Sequence, residues 1–264
     1  MQLGFKKDSE KIEDVKPAKT EETKVNEITV SRPSGFGDVS IRRMKAKDED
    51  ILGDNHLAKQ GKTLSKFVEQ ICGVSEAELE KWPLGDKIFI LLEIRKLSKG
   101  TQYAVDVKCP VCDKKQTVDI DLTELEIIKL PKEKVDENLH YNLVLPISGK
   151  KIKMKILRVA DEGDIQKGQA NHSANISSYL TMIQTVELEG VRIKNINIFK
   201  EMDSEDLEFL REKADEIACG VSNEYYTECK NSQCMSEMCV QVPIDVDFFL
   251  RTKKRKTKRK SQAV

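Results

Sequence analysis

Two cysteines three residues apart, Cys109 and Cys112, interrupt a run of alternating apolar and polar residues that extends from Tyr103 to Asp121. The pattern reads as a strand, a tight turn and a second strand. A C-x-x-C on such a turn aims both sulfurs at one point, which is half of a tetrahedral zinc site. The other half has to come from far away. Cys229, Cys234 and Cys239 lie more than a hundred residues downstream, beside the strand-like segment Val240 to Val246. If both groups serve one metal, the middle and the end of the chain must meet. The preferred ligands are Cys109, Cys112, Cys229 and Cys234, with Cys239 as the substitute for the fourth. A closed four-thiolate site holding one structural zinc leaves no open position for chemistry. Two other readings compete with it: free thiols at a decayed site, and a redox C-x-x-C. Thioredoxin-like motifs open a helix after a strand, whereas this one turns into another strand.

There are 264 residues, enough for one large domain or two small ones. Charged residues make up 34% and aromatics 5%, so the core is expected to be modest. Lys plus Arg and Asp plus Glu balance at 45 each, but unevenly. Eight of the basic residues fall in Arg251 to Lys260, which leaves 37 elsewhere against 45 acids, a mildly acidic body. No apolar run approaches the roughly 18 residues of a membrane span. Residues Met1 to Glu27 lack the apolar stretch of a signal peptide. Seven cysteines, an odd number with one close pair, fit metal-bound thiolates in a reducing compartment better than a disulfide framework.

The fold expected is α+β: a helical portion (about 45–100 and 160–220) packed on antiparallel hairpins, with a zinc-ribbon-like element and disordered charged termini. Residues 1–29, a Lys/Glu alternation almost without large apolar groups, read as a disordered leader. Residues 30–250 form the folded part, and 251–264 a basic disordered tail. Phe36 between two glycines suggests a loop pinned by one aromatic, entering a strand at Val39–Ile41. A helical stretch opens at the acidic Asp48–Asp50, is split by Gly61, and ends at Cys72–Gly73. A second helix runs from about Pro83 or Asp86 to Leu97, closed by Gly100. After the cysteine hairpin comes a linker or short helix over Leu122 to Leu130. A second hairpin follows, with Ile152, Met154 and Ile156 facing inward. Asp161 to Val186 reads as a helix weakened by Gly163 and Gly168, and Val191 to Phe199 is ambiguous. Asp203 to Cys219 has the best helix signals, including an N-cap at Asp203 or Ser204 and an apolar face of Leu207, Leu210, Ala214 and Ile217. A strand over Val240 to Asp247 closes the chain. Residues 101–121 and 225–247 echo one another: a tyrosine (Tyr103, Tyr226), cysteines, then Val118-Asp-Ile-Asp or Val242-Pro-Ile-Asp.

Outside the cysteines the chemistry-bearing residues are scattered. Cys72 and Cys219 each end a helix and read as small buried hydrophobes. His56, His140 and His172 have no ligand spacing. The sequence has no Walker A loop, G-x-G-x-x-G or G-x-S-x-G, and Gly35-Phe-Gly37 is too short for a phosphate loop, so an enzyme has little support. The tail residues Lys253, Lys254, Arg255, Lys256, Lys258, Arg259 and Lys260 read in two ways. They neutralise phosphates of a nucleic acid or another polyanion, or they form a solvated segment that docks an acidic partner. No aromatics interleave with them, so base stacking is not implied. A zinc-ribbon nucleic-acid-binding regulator using this tail is the main rival reading.

Several further motifs follow one another in order along the chain. Pro33-Ser34-Gly35 leads into Val39-Ser-Ile-Arg-Arg-Met, then Lys47-Asp-Glu-Asp-Ile-Leu and Lys59-Gln-Gly-Lys. Leu84-Gly-Asp-Lys and Ile90-Leu-Leu-Glu-Ile-Arg-Lys-Leu-Ser-Lys-Gly follow, then Tyr103, Cys109-Pro-Val-Cys112, Val118-Asp-Ile-Asp-Leu and Leu143-Val-Leu-Pro. This ordered succession resembles the T4-type contractile-tail phage baseplate hub and hub-assembly proteins, over about residues 30–220 together with the last cysteine group and Phe248-Phe249. The charged leader, the irregular second cysteine group and the basic tail depart from it. The resemblance implies a non-enzymatic role in tail morphogenesis, as a component or assembly factor of the baseplate hub. It further implies contacts with other phage baseplate or hub proteins, no small-molecule substrate, and a place in the host cytoplasm during assembly or in the virion tail baseplate.

Overall fold

A computed structural model describes residues 26–250. The chain begins with a hairpin, β1 (Glu27–Ser31) and β2 (Asp38–Arg42), paired from Glu27↔Arg42 to Ser31↔Asp38. The strand therefore starts inside the stretch expected to be a disordered leader; residues 1–25 lie outside the described ones. Ser34, between the strands, is fully buried, and its N–H and hydroxyl both donate to the carboxylate of Asp86. Phe36 is 45% exposed, so this long-range pair pins the loop and the aromatic does not.

Four helices follow: α1 (Ala46–Leu52), α2 (Asn55–Lys59), α3 (Thr63–Cys72) and α4 (Glu76–Leu79). The expected break at Gly61 is present. A second break falls at Gly53, where the Asp54 carboxylate accepts from the N–H of His56 and Leu57 and starts α2. α5 (Leu84–Lys99) is the central element. It buries residues around its whole circumference, including Ile90, Leu91, Leu92 and Ile94, as a helix enclosed by protein must.

The cysteine hairpin is β3 (Gln102–Lys108) and β4 (Lys115–Asp121), in register from Gln102↔Asp121 to Lys108↔Lys115. Of the linker or short helix expected next, the structure has the linker, which carries the two-residue strand β5 (Ile127–Ile128). A three-stranded antiparallel sheet is built from β6 (His140–Val144), β7 (Lys151–Lys155) and, after two helices, β8 (Thr185–Leu188). Those helices are α6 (Glu162–Asn171) and α7 (Ile176–Gln184). The helix expected over 161–186 breaks at His172–Asn175, not at its glycines. Gly168 instead lets α6 and α7 approach, since a Cβ there would stand 2.3 Å from the Tyr179 ring. The ambiguous segment starts with an antiparallel bridge from Val191 back to Leu188 and ends in α8 (Asn197–Lys200). α9 (Ser204–Ile217) is capped by Asp203, which accepts from the Glu205 N–H.

The end of the chain is β9 (Gly220–Val221), paired with β5, then the hairpin β10 (Glu224–Glu228) and β11 (Glu237–Gln241), then α10 (Val246–Leu250). The strand expected over Val240 to Asp247 thus stops at Gln241. Phe248 and Phe249 are adjacent and both buried, which a strand with alternating faces would not allow but a helical turn does.

The architecture is α+β, with helices and antiparallel hairpins. The larger apolar core joins β1–β2, α1, α3, α5, both late and early hairpins and α10; Phe67 of α3 meets Phe249 at 4.8 Å between ring centroids. A second core, with Tyr141, Met154, Phe199 and Leu210, lies under the three-stranded sheet. A small cluster of Leu130, Leu139 and Cys219 forms a third. Lys87, 3% exposed, reaches from α5 to Glu162 of α6 at 2.6 Å. Among the described residues no helix is long and apolar enough to cross a membrane.

Candidate metal centre

The hairpin β3–β4 turns Tyr103, Val118 and Ile120 inward. Cys109 is the next inward position after Val107, and it is fully buried. Cys229 continues β10 in the same way, after Tyr225 and Thr227, and is 4% exposed. Cys112 and Cys234 lie on the turns beyond, half-buried. The four Sγ atoms fall within 4.8 Å of one another. Cys112 and Cys229 are 3.6 Å apart, and Cys109 and Cys234 4.0 Å. A tetrahedron of sulfurs about 2.3 Å from a zinc has edges of about 3.8 Å, so the donor set fits that ion. All four thiols are free of disulfides.

The two turns are variants of one design. The first closes with the Cys109 N–H donating to the Lys114 carbonyl at 3.0 Å; the second with the Cys229 N–H donating to Ser236 at 2.9 Å. The residue after the second cysteine has positive φ in both, Asp113 at 59° and Met235 at 46°. The second loop holds two more residues between its cysteines, which is why C-x-x-C there becomes C-x4-C. Counting from the last strand pairs, Lys108↔Lys115 and Glu228↔Glu237, the equivalent of Val118 is Val240. The echo therefore pairs Val118 and Ile120 with Val240 and Val242; the likeness of Val118 to Val242 seen in sequence is out of register by two.

Donors surround the sulfurs. The Ser236 hydroxyl lies 3.5 Å from Cys109 Sγ and 3.2 Å from Cys234 Sγ, and the Asn231 amide donates to Cys112 Sγ at 3.6 Å. The Ser236 hydroxyl and then the Cys112 N–H draw the Cys109 thiol down to about 6. The Lys114 N–H, followed by Asn231, lowers Cys112. Cys229 receives the Asn231 N–H, which lowers it, yet desolvation and the neighbouring sulfurs outweigh that bond and push it up to about 11. Four thiolates this close cannot all carry charge by themselves; a divalent cation removes the conflict. Ser236, Asn231 and Gln116 were not legible as site residues, because each bonds across a turn or between hairpins with no spacing signal.

Gln116 is one of several polar links between the hairpins: its Oε1 accepts from the Lys230 N–H at 2.8 Å, its Nε2 reaches Met238 Sδ at 3.1 Å, and beside it Lys230 Nζ donates to the Thr117 carbonyl and Lys114 Nζ to the Lys230 carbonyl. The hairpins stay separate two-stranded sheets. Cys239, the substitute ligand, is outside the cluster. Met238 and Val240 face inward, so period-two alternation turns Cys239 to solvent opposite Tyr226. Cys72 and Cys219 do not join the cluster, and burial pushes both thiols up to about 12. His140 lies 3.9 Å from Asp136 and His172 stacks on Tyr179, away from the sulfurs. The tail residues Lys253, Lys254, Arg255, Lys256, Lys258, Arg259 and Lys260 lie outside the described residues.

No curated protein and no solved structure matches the chain. A family model described as T4 bacteriophage base plate protein matches residues 25–249, which includes all four clustered cysteines and stops before the basic tail. With most of its length matched, the chain belongs to the T4 bacteriophage base plate protein family.

Proposed function

We propose that this protein is a non-enzymatic tail morphogenesis factor of the baseplate hub, either built into the hub or assembling it. It acts through contacts with other phage baseplate or hub proteins, in the host cytoplasm during assembly or as a part of the virion tail baseplate. One structural zinc, bound by Cys109, Cys112, Cys229 and Cys234, staples the middle of the chain to its end in a zinc-ribbon-like element of residues 101–121 and 225–247.

The observation that supports this reading is the convergence of four thiols from hairpins more than a hundred residues apart. Four sulfurs close the coordination sphere, so the ion serves the fold and not a reaction. A two-stranded hairpin is marginal alone. The zinc would fix β3–β4 and β10–β11 in one arrangement and so present a rigid surface to neighbours. Family membership supports the setting. Quantitative mass spectrometry of purified particles and of lysate assembly intermediates tests the role. A fixed copy number in finished tails makes the chain a hub component. Presence in intermediates and absence from tails makes it an assembly factor. Absence from both would overturn the proposal.

A further inference from the structure

The four sulfurs pair across the hairpins as well as around a metal. Cys112 lies 3.6 Å from Cys229, and Cys109 lies 4.0 Å from Cys234. The two pairs share no atom and use all four thiols. Each joins β3–β4 to β10–β11. A disulfide needs the sulfurs at about 2.05 Å, so each gap must close by about 2 Å or less. Each pair also contains one half-buried sulfur, Cys112 or Cys234, and one buried sulfur, Cys229 or Cys109. The half-buried member is open to a small oxidant; the buried member is shielded from it and held as the resolving partner.

We propose that hydrogen peroxide converts this centre from a metal-held to a disulfide-held junction, pairing Cys112 with Cys229 and Cys109 with Cys234. The inference rests on the zinc reading above. In each pair the half-buried thiolate attacks the peroxide O–O bond, becomes a sulfenic acid and releases hydroxide. The buried thiolate then attacks that sulfur, forms the S–S bond and releases a second hydroxide. Two peroxides accept four electrons in all, four thiolates become two disulfides, and the zinc ion leaves as its ligands are consumed. The link between the middle and the end of the chain outlasts the metal. The backbone bonds that close each turn, Cys109 N–H to Lys114 and Cys229 N–H to Ser236, involve no sulfur, so the exchange does not itself break them.

The test uses the full-length chain carrying Cys239→Ser, which removes the exposed fifth thiol without touching the cluster. Zinc is measured first, peroxide is added, released zinc is read with a chromogenic chelator, and disulfides are mapped on unreduced peptides. The expected result is one zinc released per two disulfides, mapped as Cys112–Cys229 and Cys109–Cys234, with a melting temperature that EDTA no longer lowers. Pairs within a turn (Cys109–Cys112, Cys229–Cys234), crosslinks between chains, sulfinic acids, or resistance to peroxide would each overturn the proposal. Protein that holds no zinc before oxidation would overturn the zinc reading instead, and the mapped pairs would still decide the pairing.

Discussion

Arg95 of α5 donates its Nε to the carbonyl of Phe248, 153 residues further along, at 3.0 Å. The same guanidinium donates to Gly100 O at 2.9 Å and reaches Gln102 O at 3.5 Å. It lies 5.8 Å from the Tyr103 ring centroid and 5.7 Å from that of Phe248. One side chain, 4% exposed, thus gathers the end of the central helix, the start of the cysteine hairpin and the last helix. The four-cysteine cluster brings the middle of the chain to its end in one place, and Arg95 does so in another.

Replacing Arg95 with Met keeps its apolar stem but leaves buried carbonyls without donors. The expected loss is about 2–3 kcal/mol. Lys at this position should lose nearly as much, since one ammonium cannot span three carbonyls in the planar fork geometry. Urea unfolding monitored by circular dichroism checks both. An unchanged midpoint for Arg95→Met would remove this tie from the account.

Gly85 and Gly220 meet backbone to backbone where α5 crosses β9. A Cβ on Gly85 would stand 1.7 Å from the Cys219 carbonyl oxygen, and one on Gly220 would stand 2.8 Å from Gly85 Cα, at a φ of +135°. Neither neighbour is a flexible side chain, so the backbone itself would have to move. Gly85→Ala should therefore cost about 3 kcal/mol, at the upper end of overpacking. Full stability of that variant, by thermal melting, would mean that the helix and strand do not approach so closely.

Asp48 is fully buried and accepts two bonds from Arg42, at 2.7 and 2.9 Å, and one from the Lys45 N–H. Burial alone would raise its pKa; the Arg42 bonds and then the Lys45 N–H outweigh it and hold the carboxyl below its ordinary 3.8. A lowered folded pKa means that the unfolded chain binds the proton more readily. The contribution is therefore fully present above the unfolded value of 3.8 and lost as pH falls through the lower folded value. Asp48→Asn should cost about 3 kcal/mol at neutral pH by leaving Arg42 unpaired. It should also flatten the acid limb of the stability profile. An acid limb identical to that of the natural chain would contradict the assignment.

The cysteines separate into two classes. Cys109→Ser or Cys112→Ser should lower stability by on the order of 4 kcal/mol, as loss of a structural metal does, and block tail assembly through the fold. Cys239→Ser should change neither. Zinc content and melting temperature measured on the three variants decide this. Normal stability of both cluster variants with zinc present would end the staple idea.

Much of this site is legible in the sequence because its signals are local. Alternation from Tyr103 onward sets Cys109 on the inward face, and the spacing to Cys112 makes a turn of it. The same parity argument excludes Cys239 once Met238 and Val240 are taken as the apolar positions of β11. The register of the two loops is harder, because the two extra residues between Cys229 and Cys234 hide their likeness until the strand pairs are known. Contacts between distant residues leave no trace in the sequence. Nothing near Ser34 announces Asp86, and the two-residue strands β5 and β9 exist only by pairing with each other. The strand expected over Val240 to Asp247 overruns its true end because the helical turn holding Phe248-Phe249 is set by Phe67, Tyr103 and Arg95, which lie far off in sequence.

The central claim is that Cys109, Cys112, Cys229 and Cys234 hold one zinc between the two hairpins. Elemental analysis with zinc-edge X-ray absorption on the purified full-length protein tests it most directly. The account predicts one zinc per chain with four sulfur neighbours at about 2.3 Å. Protein that is folded without metal, or zinc bound by fewer than four sulfurs, would contradict it.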